Sequence, residues 1–143
     1  MAACNAAGLA LIESFEGDEL RAYADSGGVE TIGYGHTGGV TPGETITQGQ
    51  AVAYLEGDVQ SAANVVARCV EIDLTPNQFS ALVSFEYNTG ALPGSPGLGC
   101  INARQFEQAW DEHFCLWTHD AAGNELAGLV RRRAAEKALF FSP

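Results

Sequence analysis

The sequence predicts an α+β fold in which a small β-hairpin lobe packs against a larger helical lobe, leaving a cleft between them. Three features point there. Two stretches open with capping-box spacing and continue at helical intervals, residues 21–46 carry strand-favouring side chains punctuated by glycine, and no linker divides the 143 residues. A single domain, 1–143, is expected.

A first helix should cover about residues 5–16, with Leu9, Ile12 and Phe15 on one face and Gly17 as its stop. Glu16 then sits at a helix end. Tyr23, Val29, Thr31, Ile32 and Tyr34 favour strands, and Asp25-Ser26-Gly27-Gly28 is a turn cluster between them, so residues 21–46 read as the hairpin lobe. The second strand runs into Gly33-Tyr34-Gly35-His36-Thr37-Gly38-Gly39, whose glycines allow a tight path and close approach by another segment. Thr47 and Gln50 have capping-box spacing, followed by Val52, Leu55, Val59, Ala62 and Val66 on one helical face. Thr75-Pro76-Asn77-Gln78 combines the same box with proline at the first helical position. The stripe expected to be buried on that helix is Phe79, Leu82, Val83 and Tyr87, with Phe85 and Glu86 on other faces, and the helix should end at Asn88-Thr89-Gly90. The Gly/Pro-rich stretch 90–99 reads as a loop, Asn102 as the opening of a short helix through Trp110, and Leu129 to Phe140 as the last helix. Trp110 and Trp117 are expected in the core.

A hydrophobic content of 46% suffices for a substantial core, so the net charge of -11 does not argue for disorder. That charge disfavours nucleic-acid phosphates and anionic lipid as partners. No apolar run approaches the roughly 20 residues that span a bilayer, and the start, Met1-Ala2-Ala3-Cys4-Asn5, lacks a basic segment followed by an apolar one. No membrane association is expected. Cys4, Cys69, Cys100 and Cys115 lack the close pairing of a zinc site, whereas an even count in a small domain permits two disulfides. Of the possible pairings, Cys100 with Cys115 and Cys4 with Cys69 is favoured because the former closes a local loop; free buried thiols are the alternative.

For chemistry, the constellation that stands out is Glu16 at a helix end, Asp25 in the hairpin turn and Thr31 on the returning strand. At the junction of two lobes they would share a cleft. Glycoside hydrolysis needs one protonated carboxyl to supply the leaving oxygen with a proton and a second carboxylate to direct water or stabilise positive charge. Taken singly, each residue has a plainer explanation: Asp25 as a turn former, Thr31 as a strand residue, Glu16 as a solvated helix-end charge. His36 has no partner at metal-ligand spacing, since His113 and His119 lie far off in sequence, so a structural or cleft-lining histidine is expected and no metal. The Gly33 to Gly39 stretch lacks the lysine and helix start of a phosphate-binding loop, and no cofactor is expected. Asn88 could cap its helix or line the cleft with its amide.

Phe15-Glu16-Gly17, Asp25 after eight intervening residues, Thr31 after five more, and then Ile32-Gly33-Tyr34-Gly35-His36-Thr37 resemble the signature of the phage-type lysozymes, the family twenty-four glycoside hydrolases. The likeness continues in Phe85-Glu86-Tyr87-Asn88-Thr89-Gly90 and in Gly128-Leu129-Val130-Arg131-Arg132-Arg133-Ala134-Ala135-Glu136, and so covers nearly the whole chain. The resemblance implies hydrolysis of the β-1,4 bond between N-acetylmuramic acid and N-acetylglucosamine in peptidoglycan, with inversion. It implies Glu16 as general acid, Asp25 and Thr31 as holders of the attacking water, and an arginine against Glu16, for which Arg131 is the best match, with Arg132 adjacent. Tyr34, Gly35, His36 and Asn88 are the expected substrate-binding residues, peptidoglycan strands the partner, and a monomer the expected state. The acidity, the four cysteines and the single lysine, Lys137, fit an exported enzyme better than one held in a host cytoplasm until phage lysis.

Overall fold

A computed structural model describes residues 3–25 and 27–143; Met1, Ala2 and Ser26 of the expected turn cluster lie outside the described residues. The chain forms six α-helices and one two-stranded antiparallel sheet among those residues. Helix α1 (Ala6–Phe15) starts at Asn5, whose side chain accepts from the Gly8 N–H, and ends when Glu16 turns to extended backbone. Asn5 also donates its backbone N–H to the Ser80 hydroxyl oxygen and its side-chain NH2 to the Asn77 side-chain oxygen, which ties α1 to a later helix.

Strands β1 (Glu19–Ala24) and β2 (Glu30–Gly33) pair with Tyr23 opposite Thr31 and Ala24 opposite Glu30. The other edge of β1 is covered by a returning segment, with Ala22 N–H to Glu44 C=O at 2.8 Å and Ile46 N–H to Leu20 C=O at 2.9 Å. The hairpin lobe therefore begins two residues before the expected 21 and closes at the expected end.

Both capping boxes form in full, opening α2 (Gln48–Cys69) at Thr47 and α3 (Pro76–Thr89) at Thr75. The start of α2 lies under the hairpin, with Ala51 against Gly33, and its later turns enter the helical core. On α2 it is Ala51 that is buried, whereas the expected Val52 stays 38% exposed. Helix α3 closes at Gly90, whose φ of 63° is the left-handed conformation that glycine adopts without a Cβ clash.

Two expectations fail beyond that point. Residues 90–99 are not a plain loop: a 3₁₀ turn at Leu92–Gly94 leads into α4 (Pro96–Asn102), because Ser95 accepts from the Gly97 N–H and Pro96 fills the first helical position. Asn102 accordingly ends a helix and opens none; its amide bridges the Glu71 N–H and the Cys69 carbonyl. Helix α5 (Phe106–Glu112) follows, then a 3₁₀ turn at Phe114–Leu116 and α6 (Ala127–Phe140).

The core is a cluster of rings and aliphatics around α3, which packs against α1, α2 and α6. Because helices surround it, α3 has no single buried stripe: Leu82, Val83 and also Phe85 are fully buried, while Phe79 and Tyr87 are half-buried. Phe85 lies 4.7 Å from Phe114 and Trp110 lies 5.0 Å from the same ring, as the core placement of Trp110 requires. Trp117 departs from expectation, being 46% exposed with only its edge toward Phe85.

All four cysteines are free thiols, against the expected disulfides. Cys100 is buried in the core, and Cys4 sits beside Gly8 and Ser80. Burial pushes the Cys4 and Cys115 thiols up, which depletes the thiolate that oxidation requires. Titration of the purified protein in denaturant without reductant should give four reactive thiols. Phe85→Ala should cost about 3–5 kcal/mol of stability in urea unfolding, a loss that a solvent-facing Phe85 would not show.

Candidate active site

The hairpin and the helical lobe enclose a cleft of about 670 Å³, lined among others by Glu16, Tyr23, Asp25, Thr31, Asp58 and Asn88. Glu16 enters it from the end of α1: the turn to extended backbone swings its carboxyl out of the helix and toward the hairpin. Its Oε1 accepts from the Arg132 guanidinium at 2.7 Å, and its side chain is 20% exposed. Gly35 makes this possible. At φ 87° it holds a conformation that disfavours side chains, and a Cβ there would stand 3.1 Å from Glu16 Oε2.

Asp25 both builds the turn and faces the cleft. Its Oδ1 accepts from the Gly27 and Val29 N–H groups at 2.9 and 2.8 Å, which fixes the carboxylate in place. Thr31 is 4% exposed and donates its hydroxyl to the Val29 carbonyl at 2.9 Å. A hydroxyl whose proton is so committed can still accept, so a water at Thr31 would be oriented with a hydrogen toward Oγ1. The three residues singled out by spacing thus line one cleft.

His36 also lines it, but both ring nitrogens are engaged: Nδ1 with Asp58 at 2.7 Å and Nε2 with the Gly38 carbonyl at 3.0 Å. Its ring stacks on Tyr54 at 4.2 Å. Tyr54 and Asp58, one turn apart on α2, clamp the hairpin's glycine-rich end to the helix. Tyr34 does not line the cleft; it packs against the core, its hydroxyl accepts from Gln48, and its carbonyl accepts from the Tyr87 hydroxyl at 2.6 Å. Tyr34 lies in a tight turn, between Gly33 at φ 64° and Gly35 at φ 87°, that folds the chain back so that Ile32 pairs with His36.

The arginine against Glu16 is Arg132. Arg131 is exposed and borders a neighbouring groove of about 550 Å³ with Phe15, Leu126 and Leu129. One residue along a helix is a rotation of roughly 100°, so only one of the two can face Glu16. Arg132 is 2% exposed with every guanidinium nitrogen bonded: NH1 to Glu16, Nε to Glu136 at 3.2 Å, NH2 to the Ser84 carbonyl and hydroxyl at 3.3 Å. Arg133 bonds Glu136 at 2.6 Å and the Asn88 side-chain oxygen. Asn88 is therefore not the cap of α3, a place Gly90 fills; its side-chain oxygen is taken by Arg133, and the residue lines the cleft.

Tyr23, Asp58, Glu86 and Tyr87 line the cleft without having been singled out as site residues. No local sequence signal marks Asp58, whose place comes from its contact with His36, 22 positions away. Glu86 accepts from the Leu92 N–H at 3.0 Å, and burial pushes its carboxyl up. Burial, then the charges of Glu16 and Asp58, push the Tyr87 phenol far up, so it stays neutral as a donor.

A two-lobed α+β fold with an acid at a helix end and a carboxylate in the facing hairpin defines a lysozyme-like protein. The phage lysozyme profile matches residues 13–136, and the chain belongs to that family. It is 41% identical over 141 residues to an endolysin of Bacillus phage B103, covering 95% of this chain but 53% of the relative, about half its length. An endolysin of Salmonella phage P22 is 37% identical over 142 residues, covering 94% and 95% of the two chains. Among solved structures, the muramidase domain of SpmX from Asticaccaulis excentricus superposes with a TM-score of 0.86 at 38% identity, over 100% of both chains.

Arg132→Gln should destabilise the protein by about 3–5 kcal/mol, because it leaves buried Glu136 short of a counter-charge. Arg131→Gln should stay within about 0.5 kcal/mol of wild type. Urea unfolding of the pair distinguishes the two arginines directly.

Proposed function

We propose that the protein is a muramidase that hydrolyses the β-1,4 bond between N-acetylmuramic acid and N-acetylglucosamine in peptidoglycan. The observation that carries this reading is that Glu16, Asp25 and Thr31 line one cleft at the lobe junction, with Glu16 held by Arg132. The family membership and the muramidase relative support it.

Glu16 gives its proton to the glycosidic oxygen as the C1–O bond breaks. A water held by Thr31 and Asp25 attacks C1 from the opposite face and passes its proton to Asp25, so the anomeric configuration inverts. Solvent exchange returns a proton to Glu16 and takes one from Asp25. Asn88 offers an N–H to a sugar oxygen or acetamido carbonyl, and Tyr23, at 41% exposure, offers a ring face for a sugar. The protein works as a monomer at the wall. Its free thiols remove the disulfide argument for an oxidising compartment; relatives described as SAR-endolysins still support export, with storage in the host cytoplasm until lysis as the alternative.

Glu16→Gln should lower reducing-end release from purified peptidoglycan by about 10²-fold or more, with the circular dichroism spectrum unchanged. Asp25→Asn should be nearly as damaging. More than a tenth of activity retained by Glu16→Gln, or anhydro-sugar products by mass spectrometry, would overturn the assignment; the latter would mark a transglycosylase.

A further inference from the structure

Glu136 is the one fully buried carboxylate among the described residues, and the reaction above does not use it. It lies on α6 between two guanidiniums that reach the cleft. Its Oε1 accepts from Arg133 at 2.6 Å; its Oε2 accepts from Arg132 Nε at 3.2 Å and from the Ser84 hydroxyl at 2.5 Å. Arg132 continues to Glu16, and Arg133 continues to Asn88. A single side chain thus stands behind both the acid and the amide.

We propose that Glu136 is a positioning residue for the proton donor: it anchors Arg132 against Glu16 and Arg133 against Asn88, and it cancels one of their two positive charges. This rests on the reading of Glu16 as general acid. Burial pushes the Glu136 carboxyl up, and Arg133, Arg132 and Ser84 oppose that. Both of its oxygens already receive donors, so the carboxylate form satisfies the site.

The charge count gives the function. With Glu136 ionised, the cluster of two arginines and one carboxylate carries a single net positive charge toward Glu16. With Glu136 neutral it would carry two, and an acid facing two uncancelled cations gives up its proton more readily to solvent. The other groups near Glu16 do not replace that cancellation. Tyr23 on β1 and Tyr87 on α3 are neutral phenols, raised by burial and by the charge of Glu16 itself. Asp25 stands on the hairpin side and Asp58 on α2, where it is paired with His36.

The test is kcat/KM on purified peptidoglycan across pH for wild type, Glu136→Gln and Ser84→Ala. Glu136→Gln should move the alkaline limb, where activity falls as the donor loses its proton, about one pH unit toward acid. Ser84→Ala, which takes away a hydroxyl that favours ionised Glu136, should move it the same way by less. A Glu136→Gln protein whose activity falls by one factor at every pH, with the limb in place, would overturn the proposal and leave Glu136 as structural support only. Should Glu136→Gln fail to fold, Ser84→Ala decides: an unmoved limb overturns the proposal, an acid shift supports it. A wild type inactive at every pH would strike the muramidase reading itself, and this inference with it.

Discussion

The Arg132 guanidinium is the joint through which the two ends of the chain meet. It carries the N-terminal helix, through Glu16, onto the C-terminal helix and α3, and it does so at 2% exposure, where an unpaired cation would be costly. Its five N–H donors are fixed in a plane, so Glu16, Glu136 and Ser84 must each present an acceptor in the right place. A short lysine head could not serve three such partners in one plane. The packing of α1, α3 and α6 around the core and the placement of the acid are therefore one arrangement.

The facing wall is fixed by different means. The hairpin is pinned by several attachments: β1 between β2 and residues 44–46, His36 between Asp58 and Tyr54, and the Tyr34 carbonyl under Tyr87. The division suits the two carboxylates. Glu16 leans on a buried cation, whereas Asp25 sits in an exposed turn and is held by the Gly27 and Val29 N–H groups.

What was legible in the sequence was local. The boxes at Thr47/Gln50 and Thr75/Gln78, the stop at Gly90 and the turn at Asp25 are decided by neighbours within a few positions, and the structure has them as expected. Phe85 was misplaced because periodicity assumes a helix with one wet face, and α3 is enclosed on several sides. Arg132 was missed by one residue because a run of three arginines carries no phase; only the packing of α6 says which of them turns inward. Asn102 looked like a helix opener by residue type, yet its amide serves a distant segment at Cys69 and Glu71. The cysteine count suggested pairing, but a count says nothing of where burial puts each sulfur. Glu136, Asp58 and Tyr87 matter through partners far away in sequence, which no short motif encodes.

The pairing of Tyr23 with Thr31 has a last implication. On β2 the buried Ile32 and the cleft-facing Thr31 are consecutive and point opposite ways. A slide of this strand by a single position would swap them, setting an all-hydrocarbon chain where the proposed reaction holds its water and a hydroxyl among hydrocarbon. Selecting the correct alignment of a four-residue strand and assembling a competent catalyst are, for this hairpin, the same event.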